Sequence, residues 1–351
     1  MTEQKRFRAR AVKVVAIAVG CVLVLGGAGA GWLYWHFDHN IRSVDIDSAL
    51  GDDRPAKPVA VASPTESASA SASPSVEPVE PVERGVLNIL VLGSDSRTGK
   101  ANKALGGGDS GGARSDTAMV VHLDAGRTEA TVVSIPRDTL VERPSCPTES
   151  GGTTSVAYNV MFNSAYAVGG PVCAVKTVEH LTGVRMDHYL EIDFAGFAKL
   201  VDALGGVNVT TTEDIDDDRS RLHLEAGHHH LDGKDALAFA RTRYGVGGGS
   251  DLGRIKLQQQ LVKSLMGQVS DSGLLTDPAR LYNVADAATG SLTADTGLDS
   301  LSELTGLARS LGDLPADSVK TVMMPVVRAP SDVNRVVADE PEAGKLWESL
   351  R

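Results

Sequence analysis

Twenty-two consecutive residues, Val14 to Trp35, carry no formal charge, and Lys5, Arg6, Arg8, Arg10 and Lys13 stand just before them. As a helix, about 20 apolar residues span a hydrocarbon layer of about 30 Å. Basic residues gathered on the N-terminal side keep that end in the cytoplasm. The run predicts one N-terminal transmembrane helix over residues 14–35 and a cytoplasmic tail over 1–13. Everything beyond then lies outside a cell membrane crossed once, where chemistry works without cytosolic ATP. A cleaved leader is the rival reading, with Gly26, Ala28 and Ala30 offering small residues for cleavage. Leader cores run only about 7–15 residues. This run is longer and leaves through Trp32, Tyr34 and Trp35, an interfacial aromatic set that favours a retained anchor.

The chain of 351 residues has a net charge of −11 although its first 35 residues are basic, so the outer part is strongly acidic. Nonspecific binding of nucleic acid, which needs a basic face, is excluded. Against that background a cluster of arginines asks for a reason. Of three cysteines, Cys21 lies in the apolar run, and only Cys146 and Cys173 lie outside it. An oxidising compartment favours a disulfide between those two, worth about 3 kcal/mol by chain entropy. Two thiols with no further ligand at metal spacing make a metal site the weaker alternative.

Between Ala56 and Glu83 the composition collapses to Pro, Ala, Ser, Val and Glu. Such a stretch buries no core, so residues 36–84 read as a juxtamembrane segment and extended linker. A flexible linker of that length reaches about 30 Å, letting the outer domain range above the lipid. Ile41, Val44 and Ile46 hint at a short extended piece; in that alternative the piece belongs to the domain and the linker is an insertion.

From Leu87 the texture changes. LNILVLG (87–93), AMVVHL (118–123) and ATVVSIP (130–136) are β-branched apolar runs that predict buried strands, the last two joined by a hairpin at 124–127. Helical patterns follow at 162–170, 174–183 and 193–206, from Asp232, and over 252–269, 276–288, 297–312 and 340–350. Strands are expected at 207–211 and 319–327. The elements interleave with no second linker. The expected architecture is therefore α/β: a single extracytoplasmic domain over 85–351 with a central mixed β-sheet flanked by helices.

Four segments set charge at the edges of buried elements: GSDSR (93–97), ARSDT (113–117), SIPRD (134–138), and AFARTR (238–243) with DLGRIKLQQQ (251–260). Side chains at strand ends project into the crevice where open α/β sheets bind ligands. Arg241 and Arg243 are two apart and would diverge by about 200° on a helix. They share a ligand only if the chain is extended there, so the helix from Asp232 should end near Ala240. Arg254 and Gln258, four apart, share one helical face. The set thus holds Asp95 and Asp116 beside arginines at 114, 137, 241, 243 and 254. Arginine forks match phosphate oxygens, and paired carboxylates hold Mg²⁺ on phosphates. Phosphoryl-type transfer suits such a pocket; structural ion pairing is the bland alternative.

These residues resemble the LytR-CpsA-Psr family. The matching stretches are NILVLGSDSR, RSDTAMVVHLD, VVSIPRDTLV, FNSAYAVGGP, LEIDFAGFAKLVDALGGVNV, LDGKDALAFARTRYG and DLGRIKLQQQLV, in family order over residues 88 to about 265. The resemblance implies a phosphotransferase. It would move a glycopolymer, such as a teichoic acid, arabinogalactan or capsule-like chain, from a polyprenyl pyrophosphate carrier onto peptidoglycan. Asp95 and Asp116 match the family's metal-binding aspartates, implying Mg²⁺ or Mn²⁺. Arg114, Arg137, Arg241, Arg243 and Arg254 match its pyrophosphate-binding arginines, with Gln258 one turn beyond Arg254. Of these, Asp95, Asp116, Arg137 and Arg241 are the candidate catalytic set, and Asp95 or Asp116 is the candidate base. Two departures stand out: Met161 occupies a position where many relatives carry lysine, and GGGDSGG (106–112) lengthens the loop before Arg114. The alternatives are a polyprenyl pyrophosphatase and a lipid-binding or regulatory membrane protein without turnover.

Other signals carry less. His228, His229 and His230 are adjacent, which spreads their rings, and they read as a polar approach to Asp232. The acidic run EDIDDD (213–218) lacks the EF-hand glycine and final glutamate and reads as a solvated loop. Ser94 and Ser96 lack a nucleophile elbow.

Overall fold

The computed structural model describes residues 31–57, 85–94, 102, 105, 115–148, 151–243, 251–271, 277–312, 314 and 318–351. Most of the expected transmembrane run, the low-complexity stretch 58–84, Asp95, the 106–112 insertion and Arg114 lie outside them. Among the described residues no helix is long and apolar enough to cross a membrane.

Seven strands form the central sheet: β1 (Arg42–Val44), β2 (Leu87–Ser94), β3 (Ser115–Leu123), β4 (Ala130–Ile135), β5 (His188–Asp193), β6 (Leu292–Asp295) and β7 (Val319–Met323). Their spatial order is β1-β6-β5-β2-β3-β4-β7. β2 runs parallel to β5, and β4 to β7, while β3 is antiparallel to both its neighbours. The sheet is mixed, as expected. The β-branched runs sit at its centre because strands covered on both faces must be apolar on both.

Around it, among the described residues, pack α1 (Ile46–Leu50), α2 (Asn163–Thr182), α3 (Phe194–Ala203), α4 (Gly233–Arg241), α5 (Asp251–Asp271), α6 (Pro278–Ser291), α7 (Leu301–Gly312) and α8 (Glu342–Glu348). α1, α2 and α8 cover one face, where Leu90, Leu92, Val120 and Val133 meet Ile46, Val175, Val178 and Trp347. α5 and α7 cover the other, with Ile89, Met119 and Val132 against Val262, Met266 and Leu307. The two helical patterns expected at 162–170 and 174–183 are one helix broken at its middle. Gly169 and Gly170 leave helical geometry (Gly170 φ 61°), and Pro171 restarts it. Cys146 and Cys173 form the expected disulfide and pin that restart, with Cα atoms 5.2 Å apart.

The start of the domain differs from the expected boundary at residue 85. β1 pairs in parallel with β6 at the sheet edge, and Ile46 and Leu50 of α1 join the core. Arg54 is buried against Glu179, its Nη2 donating to Oε1 at 2.6 Å and to the Met186 carbonyl at 2.6 Å. The helical segment 31–40 is docked as well. Phe37 packs against Tyr282 of α6 with the rings tilted and their centroids 5.3 Å apart, His36 Nε2 lies 3.1 Å from Asp286, and the Leu301 N–H donates to Asp38 at 3.1 Å. The described residues on both sides of the stretch 58–84 therefore belong to one body.

Among the described residues, two-stranded antiparallel ladders flank the sheet, at 140–143 with 157–161, 207–211 with 227–231, 215–217 with 222–224, and 326–329 with 332–338. The strand expected over 319–327 is two strands, because Pro325 interrupts it. The three histidines lie in the strand 227–231, where His228 meets Thr210 and His230 meets Asn208 across the ladder.

Candidate active site

β2, β4 and β5 point the same way, so their C-terminal ends and the start of antiparallel β3 share one edge of the sheet. That edge carries Asp116 and Thr117 at the start of β3, Arg137 two residues past β4, and Asp193 at the end of β5 with Phe194 just past it. α5 passes over it and brings Arg254 and Gln258. α4 ends there at Arg241, one residue later than expected, and Thr242 turns extended at φ −57° and ψ 131°. Thr242 is fully buried, its hydroxyl donating to Ala238 O at 2.9 Å and bonded to Ser220 Oγ at 2.8 Å. With Thr242 turned inward, Arg241 and Arg243 both line the same space, as their spacing requires.

That space is a cavity of about 360 Å³ with two kinds of wall. One wall holds Asp116 and the arginines 137, 219, 241, 243 and 254. The other is apolar, with Val91, Met119, Phe197, Leu237, Leu261 and Leu265. The arginines are held before any ligand arrives. Arg137 is paired with Asp116, and the buried Arg254 donates to the Asp116 carbonyl at 3.1 Å. The Arg241 guanidinium stacks over Phe194 at 4.5 Å and donates to the Leu105 carbonyl at 2.5 Å. Gln258 also lines the cavity, but its Nε2 donates to Thr117 Oγ1 and Ala240 O, each at 2.9 Å. It ties α5 to β3 and to the end of α4.

Sequence reasoning missed two members of this wall. Asp217 belongs to the acidic run read as a solvated loop, yet it is 2% exposed. It accepts from the backbone N–H groups of Arg219 at 3.0 Å, Ser220 at 3.4 Å and Arg243 at 2.9 Å. It thereby builds the turn that aims Arg219 and Arg243. The signal was the alternation Ile215-Asp216-Asp217, which places the first and third residues inward. Asp216 and Asp218 point outward with His223 as an exposed cluster away from the cavity wall.

Asp95 and Arg114 lie outside the described residues. Asp116 is the described carboxylate that faces the cavity from the β3 edge, and a hard cation sharing phosphate oxygens suits that donor type.

The relatives agree with the fold. A model of the LytR_cpsA_psr family matches residues 35–351, a span that includes β1 and α1. The chain is 36% identical over 271 residues to the probable cell wall biosynthesis protein LcpB of Corynebacterium glutamicum, covering 75% of this chain and 61% of that one. It is 34% identical over 269 residues to the cell wall biosynthesis protein LcpA of the same organism, covering 69% and 50%. The chain thus spans between half and three-fifths of the length of these two relatives. Among solved structures it is similar to Bacillus subtilis TagV, with a TM-score of 0.58 and 26% identity over 76% of this chain and 96% of that one. By the extent of the family match and the identity to these relatives, the chain belongs to the LytR-CpsA-Psr family.

Proposed function

We propose that this protein is a phosphotransferase that moves a glycopolymer from a polyprenyl pyrophosphate carrier onto peptidoglycan at the outer face of the membrane. The observation that carries this reading is the pairing of an arginine wall with an apolar wall in one cavity. A ligand that satisfies both is amphiphilic, with a phosphate-rich head and a hydrocarbon tail. Inorganic phosphates leave the apolar lining uncovered, and a plain lipid makes no use of the five arginines that line the cavity. The names of LcpB and LcpA as cell wall biosynthesis proteins support a wall polymer as cargo.

In this reading the arginines 114, 137, 241, 243 and 254 hold the pyrophosphate, and Arg219 joins them. Arg241, stiffened by Phe194, offsets charge that builds on the leaving phosphate. The acceptor hydroxyl oxygen forms a bond to the phosphorus next to the glycan. The P–O–P bridge breaks, and its electron pair leaves with polyprenyl phosphate. The hydroxyl proton passes to whichever of Asp95 and Asp116 keeps a carboxylate oxygen to accept it. Asp116 with Asp95 would hold Mg²⁺ or Mn²⁺, whose chemistry is to neutralise phosphate oxygens. Trp32, Tyr34 and Trp35, each about half exposed, keep the domain at the bilayer where such a donor resides.

The test is turnover by the full-length chain in vesicles with a polyprenyl-pyrophosphate-linked saccharide and peptidoglycan. Equal yields of polyprenyl monophosphate and wall-attached saccharide are expected, and Arg241→Ala should lower the rate about 10²–10³-fold. Polyprenyl monophosphate without attached saccharide would make it a pyrophosphatase. Retained donor binding with no product would make it a lipid-binding or regulatory protein.

A further inference from the structure

Among the described residues between β2 and β3, Asn102 is buried, 3% exposed, although it lies in the polar and glycine-rich run KANKALGGG. Its Nδ2 donates to Asp193 Oδ2 at 3.1 Å, and its Oδ1 accepts from the Ala195 N–H at 2.9 Å. Asp193 Oδ1 accepts in turn from the Gly196 N–H at 2.7 Å. Two N–H groups in the first turn of α3, which have no acceptor within the helix, are satisfied in this way. Phe194 stands between the two residues that Asn102 holds.

Phe194 carries the ring on which the Arg241 guanidinium rests, 4.5 Å from its centroid. Three residues beyond Asn102, the Leu105 carbonyl accepts from Arg241 Nη1 at 2.5 Å. Both supports of Arg241 therefore meet at Asn102: the ring through Asp193 and Ala195, the carbonyl through three residues of chain. A side chain of this length needs both a donor and an acceptor here, and only the amide has both. An aspartate would set a second carboxylate against Asp193. Arg137 and Arg254 are held differently, the first by the Asp116 carboxylate and the second by the Asp116 carbonyl.

We infer that Asn102 is a positioning residue for the donor's phosphate head, acting through Arg241. The inference rests on the reading of the cavity as a polyprenyl pyrophosphate site. A guanidinium grips phosphate oxygens through a fork of fixed geometry, so its orientation decides its worth. An arginine ordered only when the ligand arrives loses rotamer freedom at that moment and weakens binding. Asn102 moves that ordering from the binding step to folding. Its own amide is buried without penalty because both its ends are hydrogen-bonded.

The test is a double-substitution cycle on donor affinity, measured with a labelled polyprenyl-pyrophosphate saccharide on the full-length chain in vesicles. Asn102→Ala is expected to weaken donor binding about tenfold. In an Arg241→Ala chain the same change should shift affinity by less than about twofold, because its route to the ligand is already gone. In an Arg254→Ala chain it should again weaken binding about tenfold, since Arg254 is held independently. If Asn102→Ala melts below the assay temperature, Asn102→Asp, which keeps the size and loses the donor, goes through the same cycle with the same expectations. A full loss persisting in the Arg241→Ala chain would make Asn102 a fastener of the fold alone and overturn the inference. Unchanged binding in the single variants would also overturn it. A wild-type chain that binds no donor would overturn the reading of the cavity, and this inference with it. One that binds donor without turnover would overturn the transfer reading alone, and the cycle would still decide the role of Asn102.

Discussion

The two faces of the central sheet are made by the same strands and end up serving opposite needs. On one face Leu90, Leu92, Val120 and Val133 are completely buried under α1, α2 and α8. On the other, their sequence neighbours Val91 and Met119 look into a cavity of about 360 Å³. Alternation along a strand lets a single residue step separate the packed side from the hollow one. Protein interiors are ordinarily filled to crystal-like density, so a hollow of this size beside buried guanidiniums gives up stability. The closed face supplies the stability and the open face accommodates the ligand.

The comparison can be broken on the closed face first, where the effects are largest. Glu179→Leu strips the Arg54 side chain of its buried carboxylate partner, leaving it the exposed Asp47, and is expected to cost about 3–5 kcal/mol in denaturant titration. Adding Arg54→Met to that variant should restore most of the loss. Little recovery would show that the pair does more than neutralise itself. Leu92→Ala on the same face should cost about 2–5 kcal/mol.

On the open face the same kind of change should separate stability from activity. Val91→Phe adds bulk into a void, so it is expected to shift stability by less than about 1 kcal/mol, unlike overpacking of a full core. It should nonetheless weaken prenyl-ligand binding about tenfold or more by occupying tail volume. A large stability loss would mean that the cavity is not hollow in solution.

A smaller effect is a matter of pH. His122 Nδ1 lies 2.8 Å from Asn88 Oδ1, and burial holds its pKa below the usual 6.5, outweighing the attraction of Asp124. The unfolded chain therefore binds the proton more readily than the folded one. The contribution of neutral His122 is complete above pH 6.5 and is lost as pH falls through 6.5 toward the folded-state value. His122→Gln should flatten that part of the stability profile, and an unchanged profile would assign the slope to other groups. Smallest of all, halving the stretch 58–84 should alter stability by about 0.6 kcal/mol and leave transfer unchanged, because the residues on either side of it pack into the same sheet and core. A large loss of transfer would restore the linker reading.

Much of this was legible in the chain. The apolar runs at 87–93, 118–123 and 130–136 show their strand character directly, since doubly covered strands have no polar face. The i, i+2 spacing of Arg241 and Arg243 required an extended chain after the helix, and Thr242 provides it. Asp217 and Arg219 were hidden because composition marked their run as solvent-facing, while a three-residue strand buries one acid of the set. The start of the domain was obscured for a related reason. A low-complexity stretch looks the same whether its ends are free or pinned, and pinning here depends on contacts more than a hundred residues away, such as Arg54 with Glu179.

The central claim is that one amphiphilic ligand fills the arginine wall and the apolar wall together. Photocrosslinking with a polyprenyl pyrophosphate carrying a diazirine in its tail tests this most directly. The account predicts labelling of Phe197, Leu261 or Leu265, saturable by unlabelled polyprenyl pyrophosphate and lost in Arg241→Ala. Labelling confined to the outer surface, or unaffected by Arg241→Ala, would contradict it.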